Sequence, residues 1–129
     1  MDCLFCKIVA KQIPANVVYE DEKIMAFLDI NPMSPGHTLV IPKVHSKNTV
    51  AAADADLIAL ALAVKKLAPA VCAGAAAESW NLLAVGELVP HTHWHIIPRR
   101  RDDGLKFWPG RPYAAGEAGA LAEKIREAI

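Results

Sequence analysis

The chain has 129 residues, 53% of them hydrophobic, with 14 basic residues against 14 acidic ones. That length suits a single domain with a buried core, expected over 1–129, and a net charge of zero argues against a general nucleic-acid binder, which needs a basic face. The longest apolar run, Leu57 to Val64, is followed by Lys65 and Lys66 and falls short of the roughly 18 residues of a membrane helix, while Met1-Asp2-Cys3 lacks the positive start and apolar core of a signal peptide, so no membrane partner and a cytoplasmic location are expected.

Cys3 to Lys11 reads as a short helix stopped before Pro14. Val17 to Glu20 and Ile24 to Leu28 read as two strands joined by Asp21-Glu22-Lys23, a hairpin. Asn31 to Gly36 is a loop by its turn chemistry, and His37 to Ile41 is a third strand ended by Pro42. Asp54 or Asp56 can cap a long helix through about Leu67, with Leu57, Leu60 and Val64 at helical spacing. Pro69 should end or kink it, because proline lacks a donor and clashes with the preceding turn. Trp80 to Val85 and His93 to Ile97 read as the fourth and fifth strands. Gly116 to Ile129 is a last helix with Leu121 and Ile125 on one face. Strands joined by hairpins favour an antiparallel sheet, so the expected class is α+β.

Three cysteines without an export signal do not suggest a disulfide framework. Cys72 lies in an Ala-rich helical stretch and reads as a small core residue. Cys3 and Cys6 form Cys-x-x-Cys, which can be a redox pair, half of a zinc site or coincidence. Arg99-Arg100-Arg101 is followed at once by Asp102 and Asp103, which suggests a solvated mixed-charge turn.

His91-Thr92-His93-Trp94-His95 carries three of the five histidines at alternate positions. On a strand these would share a face, with about 7 Å between successive residues, while Trp94 and Ile96 face the other way. A row of imidazoles is not needed for packing and reads as a site for metal, phosphate or both. Structural zinc takes four Cys or His ligands. Cys3 and Cys6 supply two, His45 at the end of the third strand can supply a third, and His91 at the entrance of the row can turn to the metal without blocking its neighbours. A neutral imidazole attacks phosphorus well and leaves a labile adduct. A second, protonated one can hold phosphate oxygens, and an ordinary pKa near 6.5 keeps both forms accessible. No acidic cluster stands near the row, so no magnesium requirement is expected.

These segments together resemble the histidine triad (HIT) family. His91-Thr-His93-Trp-His95-Ile-Ile is similar to its signature, Cys3-Leu-Phe-Cys6-Lys-Ile to its N-terminal motif, Phe27-Leu-Asp29-Ile30-Asn-Pro to its nucleoside-binding segment, and Pro35-Gly36-His37 through His45 to its central strand. The resemblance covers Cys3 to about Trp108 and leaves 116–129 as a helical extension. It implies a five-stranded antiparallel sheet with two main helices, pairing into a dimer with a continuous ten-stranded sheet. It implies that His93 attacks the α-phosphorus of a nucleotide, giving a nucleotidyl-histidine intermediate. His95 would hydrogen-bond the phosphate and Asp29 the ribose hydroxyls, while Phe5, Ile8, Leu28 and Ile30 line the base pocket, with Gly86 and Val89 in the loop before the triad. Cys3, Cys6, His45 and His91 match zinc-binding positions, one structural zinc per chain. The implied partners are AMP or GMP derivatives: phosphoramidates, aminoacyl adenylates or dinucleoside polyphosphates.

One departure qualifies the expected turnover. Glu87 stands where the family has glutamine, and Leu88 where many members have serine or threonine. An ionised Glu87 about 5 Å from a phosphate would cost about 3 kcal/mol at an effective dielectric near 20, over about a hundredfold in rate if it falls on the transition state. A second reading is therefore a nucleotide-binding sensor or adaptor with little turnover.

Overall fold

The computed structural model describes residues 2–86, 89–106 and 110–129. The expectations placed on Glu87, Leu88 and Trp108 lie outside these residues. Among the described residues, five strands form one antiparallel sheet: β1 (Val17–Glu20), β2 (Ile24–Leu28), β3 (Thr38–Pro42), β4 (Ser79–Leu83) and β5 (Trp94–Arg99), in the spatial order β1-β2-β3-β5-β4. The first hairpin closes as expected. The Asp21 carboxylate accepts the Lys23 and Ile24 amides, each at 2.8 Å, a side-chain substitute for a backbone turn bond. β2 and β3 then pair without a slip from Ile24↔Pro42 to Leu28↔Thr38, so both present alternate residues to the same two faces.

On one face Ile24, Ala26, Val40 and Ile96 pack against Leu60, Ala63, Val64 and Leu67 of α2 (Asp54–Gly74). On the other, Met25, Phe27, Leu39 and Ile41 pack against Cys3, Phe5 and Ile8 at α1 (Leu4–Val9). The period-two pattern thus makes a three-layer arrangement, with a helix on each side of a sheet that is apolar on both. Trp94 and Ile96 join the α2 face, as their alternation with the histidines implied.

Three expectations about the long helix need correction. α2 does not stop near Leu67 but runs through Pro69 to Gly74. Pro69 is exposed while Leu67 and Ala68 are buried. Lys65, whose carbonyl loses its partner, is an exposed residue, and sheet packing by Leu67 and Ala68 before the proline and Val71 after it holds the helix together. The cap is Ala53, with no side-chain bond; Asp54 and Asp56 sit in the first turn, where their charge meets the helix dipole. Because it continues past Pro69, this 21-residue helix is long and apolar enough to cross a membrane by length and composition, although one stripe of it packs on the sheet. Cys72 is half-buried rather than a core residue.

The basic triplet is also more than a solvated turn. Arg99 pairs with Asp103 at 2.8 Å and donates to Asn81 and the Leu105 carbonyl. Arg100 donates to Ser34 Oγ at 2.9 Å and to the Pro35 and Ala75 carbonyls. These bonds tie the exit of β5 to the loop before β3 and to the C-terminal end of α2. α3 (Glu117–Ala128) does place Leu121 and Ile125 on one side, but none of its residues is buried.

Candidate active site and metal centre

Only His95 of the histidine row lies within a strand; His91 and His93 precede β5. The even row on one sheet face is therefore corrected to a fan. His93 and His95 stay together with ring centroids 5.0 Å apart, while His91 turns towards α1 and His45. All three are buried, at 0%, 5% and 6% exposure in chain order.

The hydrogen bonds fix how each ring carries its proton, because a carbonyl oxygen only accepts and a backbone amide only donates. His93 Nδ1 donates to the His91 carbonyl at 2.6 Å, which leaves the Nε2 lone pair free. His91 Nε2 donates to the Pro42 carbonyl at 2.8 Å, which leaves its Nδ1 lone pair free. His37 Nδ1 accepts the Met33 amide at 3.1 Å, so its proton sits on Nε2, 2.8 Å from His95 Nδ1. His95 Nδ1 must then accept, and its own proton sits on Nε2. That buried Nε2 has no hydrogen-bond partner among the described residues. Because His95 lines a cavity, that N–H is open to an acceptor entering it.

Burial pushes the His95 pKa down to about 4, with neighbouring His93 and His37 adding to the effect and Asp29 opposing it. Before ligand arrives burial thus favours the neutral form of His95, with its proton on Nε2. Burial lowers His37 as well, against the pull of Asp29. The Asp29 Oδ2 atom stands 3.7 Å from His37 Nε2, and its Oδ1 accepts the Asn31 amide at 2.8 Å.

A cavity of about 310 Å³ opens onto this pair of imidazoles. Its wall includes Phe5, Ile8, Leu28, Asp29, Ile30 and Val89 with His93 and His95, so most of the residues singled out from the sequence converge here. Gly86 does not line it: the residue is exposed, and a Cβ there would meet nothing within 4 Å. Phe27, which begins the segment that resembles the family's nucleoside-binding motif, lines the cavity too, whereas sequence reasoning missed Leu39, Leu4, Ile13, Pro14 and Ala15. For Leu39, alternation with the α2-facing Val40 along β3 was the available signal. Sequence reasoning also gave His37 no part in the site, since nothing in the chain order pairs it with His95. A larger groove of about 490 Å³ on the α2 side has Arg100 as its ionisable lining residue, and its lining hydroxyl, Thr38 Oγ1, donates to the Gly36 carbonyl.

The second cluster lies behind α1. The Sγ atoms of Cys3 and Cys6 and the Nδ1 atoms of His45 and His91 all lie within 4.8 Å of one another. The separations are 3.4 Å for Cys3–His91, 3.3 Å for Cys6–His45, 3.5 Å for Cys6–His91 and 3.3 Å between the two nitrogens. Tetrahedral zinc with bonds of about 2.3 Å to sulfur and about 2.0–2.1 Å to nitrogen would set these edges at about 3.6 Å and 3.4 Å. The donor set fits a closed zinc site, and the His91 lone pair already points into it. Burial and the neighbouring Cys3 thiol raise the Cys6 pKa in the absence of a metal charge.

Comparison with known proteins agrees with this geometry. A family model described as the HIT domain matches residues 10–102. The chain is 38% identical to the adenosine 5'-monophosphoramidase hnt1 of Schizosaccharomyces pombe, covering 100% of this chain and 99% of that protein. Its structure is similar to that of SMU.412c from Streptococcus mutans, with a TM-score of 0.88 and 38% identity over 99% of this chain and 85% of that one. It is also similar to a Zn-bound histidine triad family protein from Mycobacterium smegmatis, with a TM-score of 0.77 and 33% identity over 100% and 99% of the two chains. With the triad geometry, the sheet order and these matches in hand, the chain belongs to the HIT family.

Proposed function

We propose that this protein is a nucleotide hydrolase or nucleotidyl transferase acting at the α-phosphate, with His93 as nucleophile. The observation that carries the reading is the complementary proton placement on the two imidazoles facing one cavity. His93 offers a lone pair at Nε2, and His95 offers an unmatched N–H at Nε2. Attack by His93 Nε2 forms the N–P bond as the bond to the leaving group breaks, giving a nucleotidyl-histidine. Water then displaces the imidazole and releases the nucleoside monophosphate. His95 donates to a non-bridging phosphate oxygen, where negative charge builds up in the transition state. Asp29 accepts from the ribose hydroxyls, and Phe5, Ile8, Leu28 and Ile30 enclose the base.

The substrates that fit are phosphoramidates, aminoacyl adenylates or dinucleoside polyphosphates of a purine nucleoside, a class supported by the activity named for the fission-yeast relative. Cys3, Cys6, His45 and His91 hold one zinc per chain. When bound, the ion supplies a structural cross-link between α1 and the segment before β5, and His93 and His95 carry the chemistry. The protein acts in the cytoplasm as a homodimer, joined through α2 and the edge strand β4, where Ile58, Leu62, Trp80 and Leu82 are exposed apolar residues.

The direct test is incubation with an adenosine phosphoramidate. Wild-type protein releases AMP, and His93→Ala lowers release by at least about 10³-fold while still binding AMP. Equal turnover by His93→Ala removes the nucleophile assignment, and AMP binding without turnover by wild type leaves the sensor reading.

A further inference from the structure

The two clusters share their scaffold. Phe5 lies in α1, between the two cysteines, and its ring meets His91 edge-on with centroids 6.0 Å apart and His93 with centroids 5.2 Å apart. The same ring, with Ile8 one turn further on, forms a wall of the nucleotide cavity. His91 contributes twice. Its imidazole belongs to the thiol–imidazole cluster, and its carbonyl holds the Nδ1 proton of His93 at 2.6 Å. α1 is only six residues long, too short to be a stable helix by itself. Its position therefore depends on its packing and on whatever ties Cys3 and Cys6 to His45 and His91.

We propose that the Cys3–Cys6–His45–His91 centre and the nucleotide cavity are thermodynamically coupled through Phe5 and the His91 carbonyl, so that occupancy of either raises affinity at the other. This rests on the metal and nucleotide assignments above and goes beyond them, since a passive zinc staple need not change nucleotide affinity at all. With the centre filled, α1 is pinned, Phe5 and Ile8 close the base side of the cavity, and the His91 carbonyl stands where it selects the Nδ1–H form of His93. With the centre empty, α1 and the 91–93 segment lose a shared anchor, and nucleotide must supply the ordering. Linkage requires the effect to be equal in both directions.

The test measures both directions on the full-length protein. AMP is titrated calorimetrically into zinc-loaded and metal-stripped protein, with circular dichroism checking that the stripped form remains folded. Zinc affinity is measured by competition with a chromophoric chelator, with and without saturating AMP. AMP should bind about tenfold or more tightly to the loaded protein, with the same factor in zinc affinity. Imidazole ¹⁵N shifts should report a single Nδ1–H form of His93 in the loaded protein and a mixture in the stripped one. Phe5→Leu, which keeps an apolar wall without the aromatic edge contacts, should bring the factor towards one while both ligands still bind; full coupling in that variant overturns the Phe5 route. Should stripped protein unfold, the rate of zinc release from the holoprotein to excess chelator replaces the equilibrium, with about tenfold slowing by AMP expected and an unchanged rate overturning the proposal. Failure to bind zinc refutes the metal assignment, and failure of loaded protein to bind AMP refutes the nucleotide assignment; either removes the coupling too. Binding of both with a factor of one removes the coupling alone.

Discussion

At the level of single residues, the chemistry rests on where four imidazoles keep their protons. His93 is set by a carbonyl, His91 by another, and His95 by His37, whose own proton is placed by the Met33 amide. The depressed His95 pKa carries a stability consequence. The folded state holds this ring neutral down to about pH 4, while an unfolded chain protonates it near 6.5. Between those values the unfolded state binds more protons, so stability rises with pH there. It is fully present above about 6.5 and is lost on acidification towards 4. The contribution is about 3 kcal/mol for His95, and the lowered His37 and His91 act in the same sense. Urea unfolding at pH 7 and pH 4.5 should register this loss, and His95→Gln should flatten the dependence; an unchanged slope in that variant would assign the acid sensitivity elsewhere.

At the level of elements, α2 is where local propensity and packing disagree. A helix-interior proline costs about 3 kcal/mol against alanine, and here that cost is carried by a helix whose buried stripe, Leu60 to Ala68, spans the sheet. Pro69→Ala should therefore raise unfolding free energy by about 1–3 kcal/mol with activity unchanged, as read from the denaturant midpoint; no gain would mean that the lost Lys65 carbonyl bond is replaced by another partner. The strands were legible because their apolar alternation is regular and Asp21 supplies a local turn. The end of α2 was not, because the rule for proline is local while the force that overrides it comes from residues distant in sequence. The histidine row was misjudged for a similar reason. Alternation would place His91 and His93 on an extended strand, but cross-strand pairing begins only at Trp94.

At the level of the whole molecule, the uncovered apolar surface follows the proposed partner face. Leu62 is 60% exposed on α2, and Leu82 is 42% exposed on the edge strand β4. An edge strand with free backbone groups beside an apolar helix face invites pairing. Sedimentation should show a dimer for the native chain, and Leu62→Glu combined with Leu82→Lys should shift it towards monomer; a native monomer would refute the dimer.

The sequence alone determined the α+β class, the strand order along the chain, the cysteine pair and the histidines that could serve metal or phosphate, because each follows from residue type at short spacing. Tertiary structure decided which of those residues meet. It brought Cys3 and Cys6 to His45 and His91, joined His37 to His95 across 58 positions, withheld Gly86 from the cavity, and carried α2 past its proline. Ring orientation and proton placement depend on partners contributed by distant segments, and only the packed chain brings those partners within hydrogen-bonding reach.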